Sequence, residues 1–204
     1  MTWFKAEKAI NKGAYSRSQF IKTPLFFNTK AEAQDGNEKP INELPDFSKM
    51  KGQLVEVVIT FDKSYSYDEL KQMIPSNLKT NWYWLGTQSD YNTVQLPVND
   101  LFGMEINDDY SEGSFESFKE ALNRDIKTGF AHTKYGNEMT TYDTLNDLKY
   151  FQKKFTDLKS TKFAGVILKG KAENFAQLEN QDWIYASSIG ASTLNKPYYQ
   201  LDKE

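Results

Sequence analysis

One histidine, no cysteine and twenty-eight carboxylates bound the chemistry open to this chain of 204 residues. His132 sits in GFAHTKYGNE, a polar stretch between two apolar-periodic segments. A Ser-His-Asp hydrolase would have to use it, yet no GxSxG elbow accompanies it, and a lone histidine in a polar connection reads as solvated. The missing cysteine excludes a disulfide framework, a zinc–thiolate site and a thiol nucleophile. The densest acidic stretch, INDDYSEGSFES, raises the question of calcium. An EF-hand loop wants oxygen ligands at alternate positions and glycine at the sixth. Counted from Asp108 the third position is Tyr110, and counted from Asn107 the glycine falls one place late. These carboxylates read instead as the acidic entry to a helix beginning near Ser114, whose positive end favours them. Glycoside hydrolysis needs two carboxyl groups about 5–9 Å apart, and no individual pair stands out. Phosphate loops of the GxxxxGK[ST] or GxGxxG kind are missing.

What is left is the chemistry of aromatic surfaces. TNWYWLG spans residues 80–86, and QDWIYAS follows a hundred residues later. In a strand, Trp82 and Trp84 face one side while Tyr83 and Leu85 face the other. Two indoles so placed could stack on a sugar or a peptide. The favoured reading is that they are scaffold, because large aromatics mostly supply buried area. Trp183 and Tyr185 share a face as the first pair does, and recurrence points to an architectural need. Trp82, Trp84, Trp183 and Tyr185, with the irregular stretch 87–113, are the candidates for contacting a ligand or partner. No catalytic residue, metal ligand or cofactor is assigned.

The elements that must position these residues follow from periodicity. LVEVVITF is short and rich in β-branched residues, which reads as a strand. Ser66 and Glu69 have capping-box spacing, and Leu70, Met73 and Ile74 form one helical face before Pro75 ends the helix. NWYWLG is then a second strand. KFAGVILKG, KAENFAQLEN and DWIYASSIGAS repeat that order, with Phe175 and Leu178 on the helix face. Between the copies lie two longer amphipathic helices. One carries Phe115, Phe118, Leu122 and Ile126, and the other Leu145, Leu148, Phe151, Phe155 and Leu158, at the spacings of core-facing stripes. AYSRSQFIKTPLFF holds one or two strands, AEAQDGNEKPINELPD is a loop on composition, and LFGMEI is a possible short strand. The expected fold is α+β (or α/β), with two βαβ-like units sharing one mixed sheet and the longer helices packed on it. The expected domain is single, over 1–204, with a pseudo-repeat at 52–87 and 161–193.

Composition narrows the partners. Lys and Arg number 25 against 28 Asp and Glu, and a net charge of −3 lacks the basic stripe expected of a nucleic-acid binder. Mean hydropathy is −0.69, and no apolar run approaches the ~20 residues of a membrane helix. TWFKAEKA lacks the apolar region of a signal peptide. If the protein works outside the cell, a targeting or anchoring segment is expected ahead of Met1.

Several blocks, in order, resemble the C-terminal, extracytoplasmic region of membrane-bound sigma factor regulators (anti-sigma factors) of Gram-positive type. They are GQLVEVVITFDKSYSYDELKQM, TNWYWLGT, SFESFKEAL and FAGVILKGKAENFAQLENQDWIYASSIGAS. The lead-in AYSRSQFIKTPLFF is also similar, and the resemblance runs from about Tyr15 to Leu194. The chain departs from the family pattern at LFGMEI, where a Gly-Phe-Pro type segment is expected, and at KGK, where Gly-Pro is expected. The resemblance implies a non-enzymatic sensing and regulatory domain on the outer face of the plasma membrane, relaying a signal to sigma factor release. It implies a sigma factor partner, bound by a cytoplasmic segment absent from this chain, and one membrane helix, also absent. Two alternatives remain. A cell-wall-acting carboxylate hydrolase would show two acids converging in a cleft, one with a raised pKa. An extracellular ligand-binding lipoprotein-type module would show an apolar pocket with a few polar groups.

Overall fold

The computed structural model describes residues 24–30, 40–88, 101–129 and 144–196, together with the backbone of short paired segments at 15–16, 21–22, 95–96, 134–136 and 141–143. In chain order the strands are β1 (Tyr15–Ser16), β2 (Ile21–Lys22), β3 (Phe26–Phe27), β4 (Gln53–Ser66), β5 (Lys79–Trp84), β6 (Gln95–Leu96), β7 (Gly103–Met104), β8 (Lys134–Gly136), β9 (Thr141–Asp143), β10 (Lys162–Lys171) and β11 (Ile184–Leu194). The helices are α1 (Leu44–Phe47), α2 (Tyr67–Met73), α3 (Ser111–Thr128) and α4 (Thr144–Lys154), with 3-10 turns at Asp108–Tyr110 and Ala172–Leu178.

Five strands form the central sheet, in the order β11-β4-β10-β5-β7. Each adjacent pair of these strands is antiparallel. The fold is α+β, and its sheet is not the mixed one expected. The two strands of each βαβ unit are indeed parallel, but a strand of the other unit lies between them. β4 and β5 flank β10, and β10 and β11 flank β4. This interleaving is the split βαβ arrangement of ferredoxin-like folds. β7, α3 and α4 are inserted between the units, and β7 adds to the free edge of β5.

Local chemistry accounts for the elements. The capping box at α2 is complete: Ser66 Oγ accepts from the Glu69 amide, and the Glu69 carboxylate accepts from the Ser66 amide. Pro75 confines Ile74 to extended backbone, so α2 stops at Met73. α3 begins at Ser111, three residues before the expected start, because the turn at 108–110 leads into it. It ends on Gly129, whose φ of 69° is left-handed and suits a residue without a Cβ. The part of the expected loop that is described, residues 40–46, is partly ordered by sheet pairing. Asn42 bridges Ser187 in parallel on the outer edge of β11. The Ser187 hydroxyl donates to Asn42 Oδ1 (2.6 Å) and accepts from the Glu43 and Leu44 amides (2.8 and 3.1 Å). α1 then buries Leu44 and Phe47, with Phe47 edge-on to Phe175 at 5.6 Å.

Cross-strand register sorts the sheet residues by face. On the inner face one row reads Tyr83, Val166, Ile59, Ser187, and the next Thr80, Leu168, Val57, Ile189. Against these rows pack α1, α2, α3, α4 and the turn at 172–178, in one cluster that includes Leu70, Phe115, Leu122, Leu148, Phe151 and Phe175. The predicted stripes are turned inward, with Phe118, Ile126 and Leu145 half-buried at the margins, and Phe155 and Leu158 are buried just past the end of α4, which stops at Lys154 and not at Leu158 as expected. α3 and α4 run antiparallel, tied by Gln152 Nε2 to Asn123 Oδ1 at 2.6 Å and by Lys119 Nζ to the Thr156 carbonyl at 3.3 Å.

Candidate functional site

The outer face of the sheet carries the tryptophans of β5. Its upper row reads Trp84, Gly165, Thr60, Ala186, and its middle row Trp82, Ile167, Val58, Ser188. Lys169 lies below, opposite Glu56 on one side and Lys79 on the other. Gly165 has no side chain, and the space above it is filled by Phe26. A Cβ built on Gly165 would lie 2.6 Å from the Phe26 ring. The ring centroid of Phe26 is 4.6 Å from that of Trp84 and 6.0 Å from that of Trp82. Phe26, Val58, Trp84 and Leu96 form a cluster separate from the inner core, with Trp82, Leu101, Ala164 and Ile167 partly buried around it. β3 is held there by pairing with β6. The Phe27 amide also donates to Thr60 Oγ1 (3.1 Å), and Lys30 Nζ donates to the Thr87 carbonyl (3.1 Å).

The four aromatic candidates fall into different environments. Trp84 is 2% exposed and lies beneath Phe26. Trp82 is half-buried and rests on Gly103 of β7, where even a methyl group would collide with its indole. Trp183 is half-buried, but it packs edge-on to Phe61 of the inner core at 5.6 Å. Tyr185 is 38% exposed and sits where the β11–β4 register slips between Ile184 and Ala186. The expected likeness of the two aromatic stretches therefore stops at the level of strands. Trp82 and Trp84 serve the outer cluster and Trp183 the inner one. His132 and residues 89–94 and 97–100 of the stretch 87–113 lie outside the described residues, whereas β6 and β7 come from that stretch and β7 realises the short strand in LFGMEI.

The titratable groups with displaced pKa values are displaced away from neutrality. Burial first, then the bond to Asp62, pushes Tyr65 up to about 12, and burial does the same for Tyr83. Tyr67 is raised by burial and by donating to Asp108 Oδ1 at 2.6 Å, a bond that ties the turn at 108–110 to α2. Hydrogen bonds from the Ser66 side chain and amide, and then Lys162, hold Glu69 down at about 2. Bonds from Ser160 lower Asp157. These tyrosines stay protonated and these carboxylates ionised near pH 7. Such groups hold structure rather than move protons, because a general acid or base works best with a pKa near the operating pH. Among the described residues no group of three or more His, Cys, Asp or Glu could hold a metal ion. What the outer face offers is aromatic contact and hydrogen bonding.

Two positions matter here that periodicity and motif spacing do not single out. Asp147 is 1% exposed within α4 and accepts from Thr87 Oγ1 (2.9 Å) and the Gln88 amide (3.1 Å), pinning the chain just after the tryptophan strand. It neighbours the apolar stripe in sequence, and nothing in its spacing marks it as buried. Gly165 did carry a signal, since glycine inside a strand marks close approach by another group.

A family model described as sigma factor regulator C-terminal matches residues 47–191, from the end of α1 to within β11. No curated protein and no solved structure matches the chain.

Proposed function

The chain belongs to the sigma factor regulator C-terminal family, and from that premise we propose that it is the extracytoplasmic sensing and regulatory domain of a membrane-anchored anti-sigma factor. Membership by itself implies a role in sigma factor regulation. The observation that carries the finer reading is the extent of the match, which takes in β4, β5, β10 and most of β11 together with the inner core. Family resemblance therefore rests on the scaffold as a whole and not on a local motif. In this reading the domain makes and breaks no bonds. A stimulus outside the membrane shifts its conformational populations, and it can do so only by its differential affinity for the two states. The shift passes to a membrane helix, and from there to a cytoplasmic segment that holds the sigma factor. Among the described residues no helix is long and apolar enough to cross a membrane. Trp82 and the Trp183–Tyr185 edge are the proposed contact surfaces, and Trp84 joins them only if its cover moves.

The test is co-purification of a sigma factor with the full-length protein, with and without residues 47–191, alongside a sigma-dependent reporter. Retention of the sigma factor by both forms is expected, with the reporter responding to envelope stress only when the domain is present. A reporter indifferent to loss of the domain would refute the sensing role.

A further inference from the structure

We propose that the Gly165 notch, walled by Trp82 and Trp84, is a recognition site for an extended peptide bearing an aromatic side chain, and that the chain's own residues 24–28 fill it in cis as a displaceable plug. The assignment concerns the outer face alone and does not depend on the sensing role.

Four observations support it. First, Phe26 of the plug packs outside the inner core. Its cluster is distinct from the inner core, and residues 24–28 precede the family-matched span of 47–191. Second, the notch is shaped for a ring. Gly165 sits between Thr60 and Trp84 in register, and its missing Cβ is what admits Phe26. Third, the plug is held as a peptide ligand is held. Its ties include a two-residue strand pairing and the Phe27 amide bond to Thr60 Oγ1, and just beyond it Lys30 Nζ donates to the Thr87 carbonyl. Strand addition with a side chain seated in a pocket is a recurrent way of recognising peptides. Fourth, the seal is imperfect. Trp84 Nε1 and, one row along, the fully buried Ser188 Oγ lie on this face with no hydrogen-bond partner among the described residues. Buried polar groups are normally paired. A purely hydrocarbon ring over Trp84 leaves its donor unmet, so the fit falls short of that of a permanent core.

A core residue and a plug respond differently to removal. If β3 is core, losing Phe26 weakens the whole fold. If it is a plug, the fold persists and the notch becomes vacant. The experiment uses the full chain with Phe26→Ala and a synthetic peptide spanning Pro24–Lys30, read by tryptophan emission and calorimetry. The variant should fold cooperatively, with emission shifted to the red as Trp84 gains water. The peptide should bind it at least ten-fold more tightly than it binds the unaltered chain and should restore the emission. The same peptide with alanine at the Phe26 position should not. A variant that fails to fold, a peptide that does not bind it, or equal binding to both chains would each overturn the proposal. Native-state hydrogen exchange on the unaltered chain supplies an independent reading. The Phe27 amide should exchange through a local opening, at least ten-fold faster than the Val166 amide, and equal protection of the two would count against a plug.

Discussion

On the inner face of the sheet, Val57, Ile59, Val166 and Leu168 meet helices that lie almost wholly within the family-matched span; on the outer face, Val58, Trp84 and Gly165 meet a two-residue strand from outside it. The same strands supply both layers, since alternate residues point to opposite sides. The inner layer joins α1, α2, α3 and α4 in one cluster, whereas the outer one joins β3 and β6 to the tryptophans and leaves Trp84 Nε1 and Ser188 Oγ unpaired among the described residues. One sheet thus carries a foundation on one side and a cover on the other. The proposed change of state would draw on such an asymmetry, because an element able to open ahead of global unfolding comes from the weakly held part of the structure.

The largest effect should come from a ring on each side. Phe175 is fully buried, edge-on to Phe47 and below the sheet. Phe175→Ala should lower unfolding stability by about 3–5 kcal/mol in chemical denaturation, the usual result of truncating a core phenylalanine. Phe26 is as deeply buried, with 0% exposure, so burial alone predicts the same loss. The two-layer view predicts less, because a chain with its plug undocked is still folded, and the docking free energy caps what the substitution can remove. Equal losses at both positions would erase the distinction between the layers.

Next in size is the joint between them. Asp147 of α4 accepts from Thr87 and Gln88, and Thr87 in turn accepts from Lys30. Asp147→Ala should destabilise by about 1–3 kcal/mol, the range for stripping the partner from buried donors. It should also speed exchange of the Gln88 amide, and loss at Phe27 as well would show that the plug senses α4. Gly103→Ala belongs in the same range, about 1–3 kcal/mol for overpacking, since its methyl would collide with the Trp82 indole and the Tyr83 carbonyl. A change of tryptophan emission with that variant would place the strain on the outer face. An unchanged spectrum would place it in the β5–β7 pairing.

How much of this is legible in the residues alone differs between the layers for a physical reason. The inner layer is written as periodicity. Phe115 and Leu122 of α3, Leu148 and Phe151 of α4, and the Ser66–Glu69 box all sit at spacings set by one helical turn. Strand interleaving is not local, so β4-β10-β5 could not be told from a parallel β4-β5 pair by reading either segment alone. The outer layer depends on register as well. Only when Gly165 stands opposite Trp84 does the glycine become a notch, and only then does PLFF, about 140 residues away in the chain, become its filling. Alternation places the tryptophan pair on one face, but whether that face is bare or covered depends on a segment whose proline and mixed pattern give it no address. Trp183 shows the converse error. It shares the rhythm of the first aromatic stretch, yet the register slip near Ile184 leaves it against Phe61 and the inner core.

Acid offers the mildest separation of the two regions. Glu69 caps α2, ion-pairs with Lys162 at 2.9 Å and is held down at about 2, chiefly by the bonds from Ser66. Its folded pKa lies below the ordinary carboxylate value of 4.5, so its contribution to stability is fully present above that value and drains away as pH falls toward about 2. The anchor of the plug on the Thr60 hydroxyl has no such dependence. Between about pH 5 and about pH 2.5, protection of the α2 amides should therefore fall relative to that of Phe27 once intrinsic exchange is normalised, and Glu69→Gln should abolish the difference. Ser66→Ala, which removes the side-chain half of the box, should lower stability by about 1 kcal/mol at neutral pH. If the α2 and Phe27 amides instead lost protection in parallel on acidification, the two layers would be opening as one unit, and the cover would have no independence of the foundation beneath it.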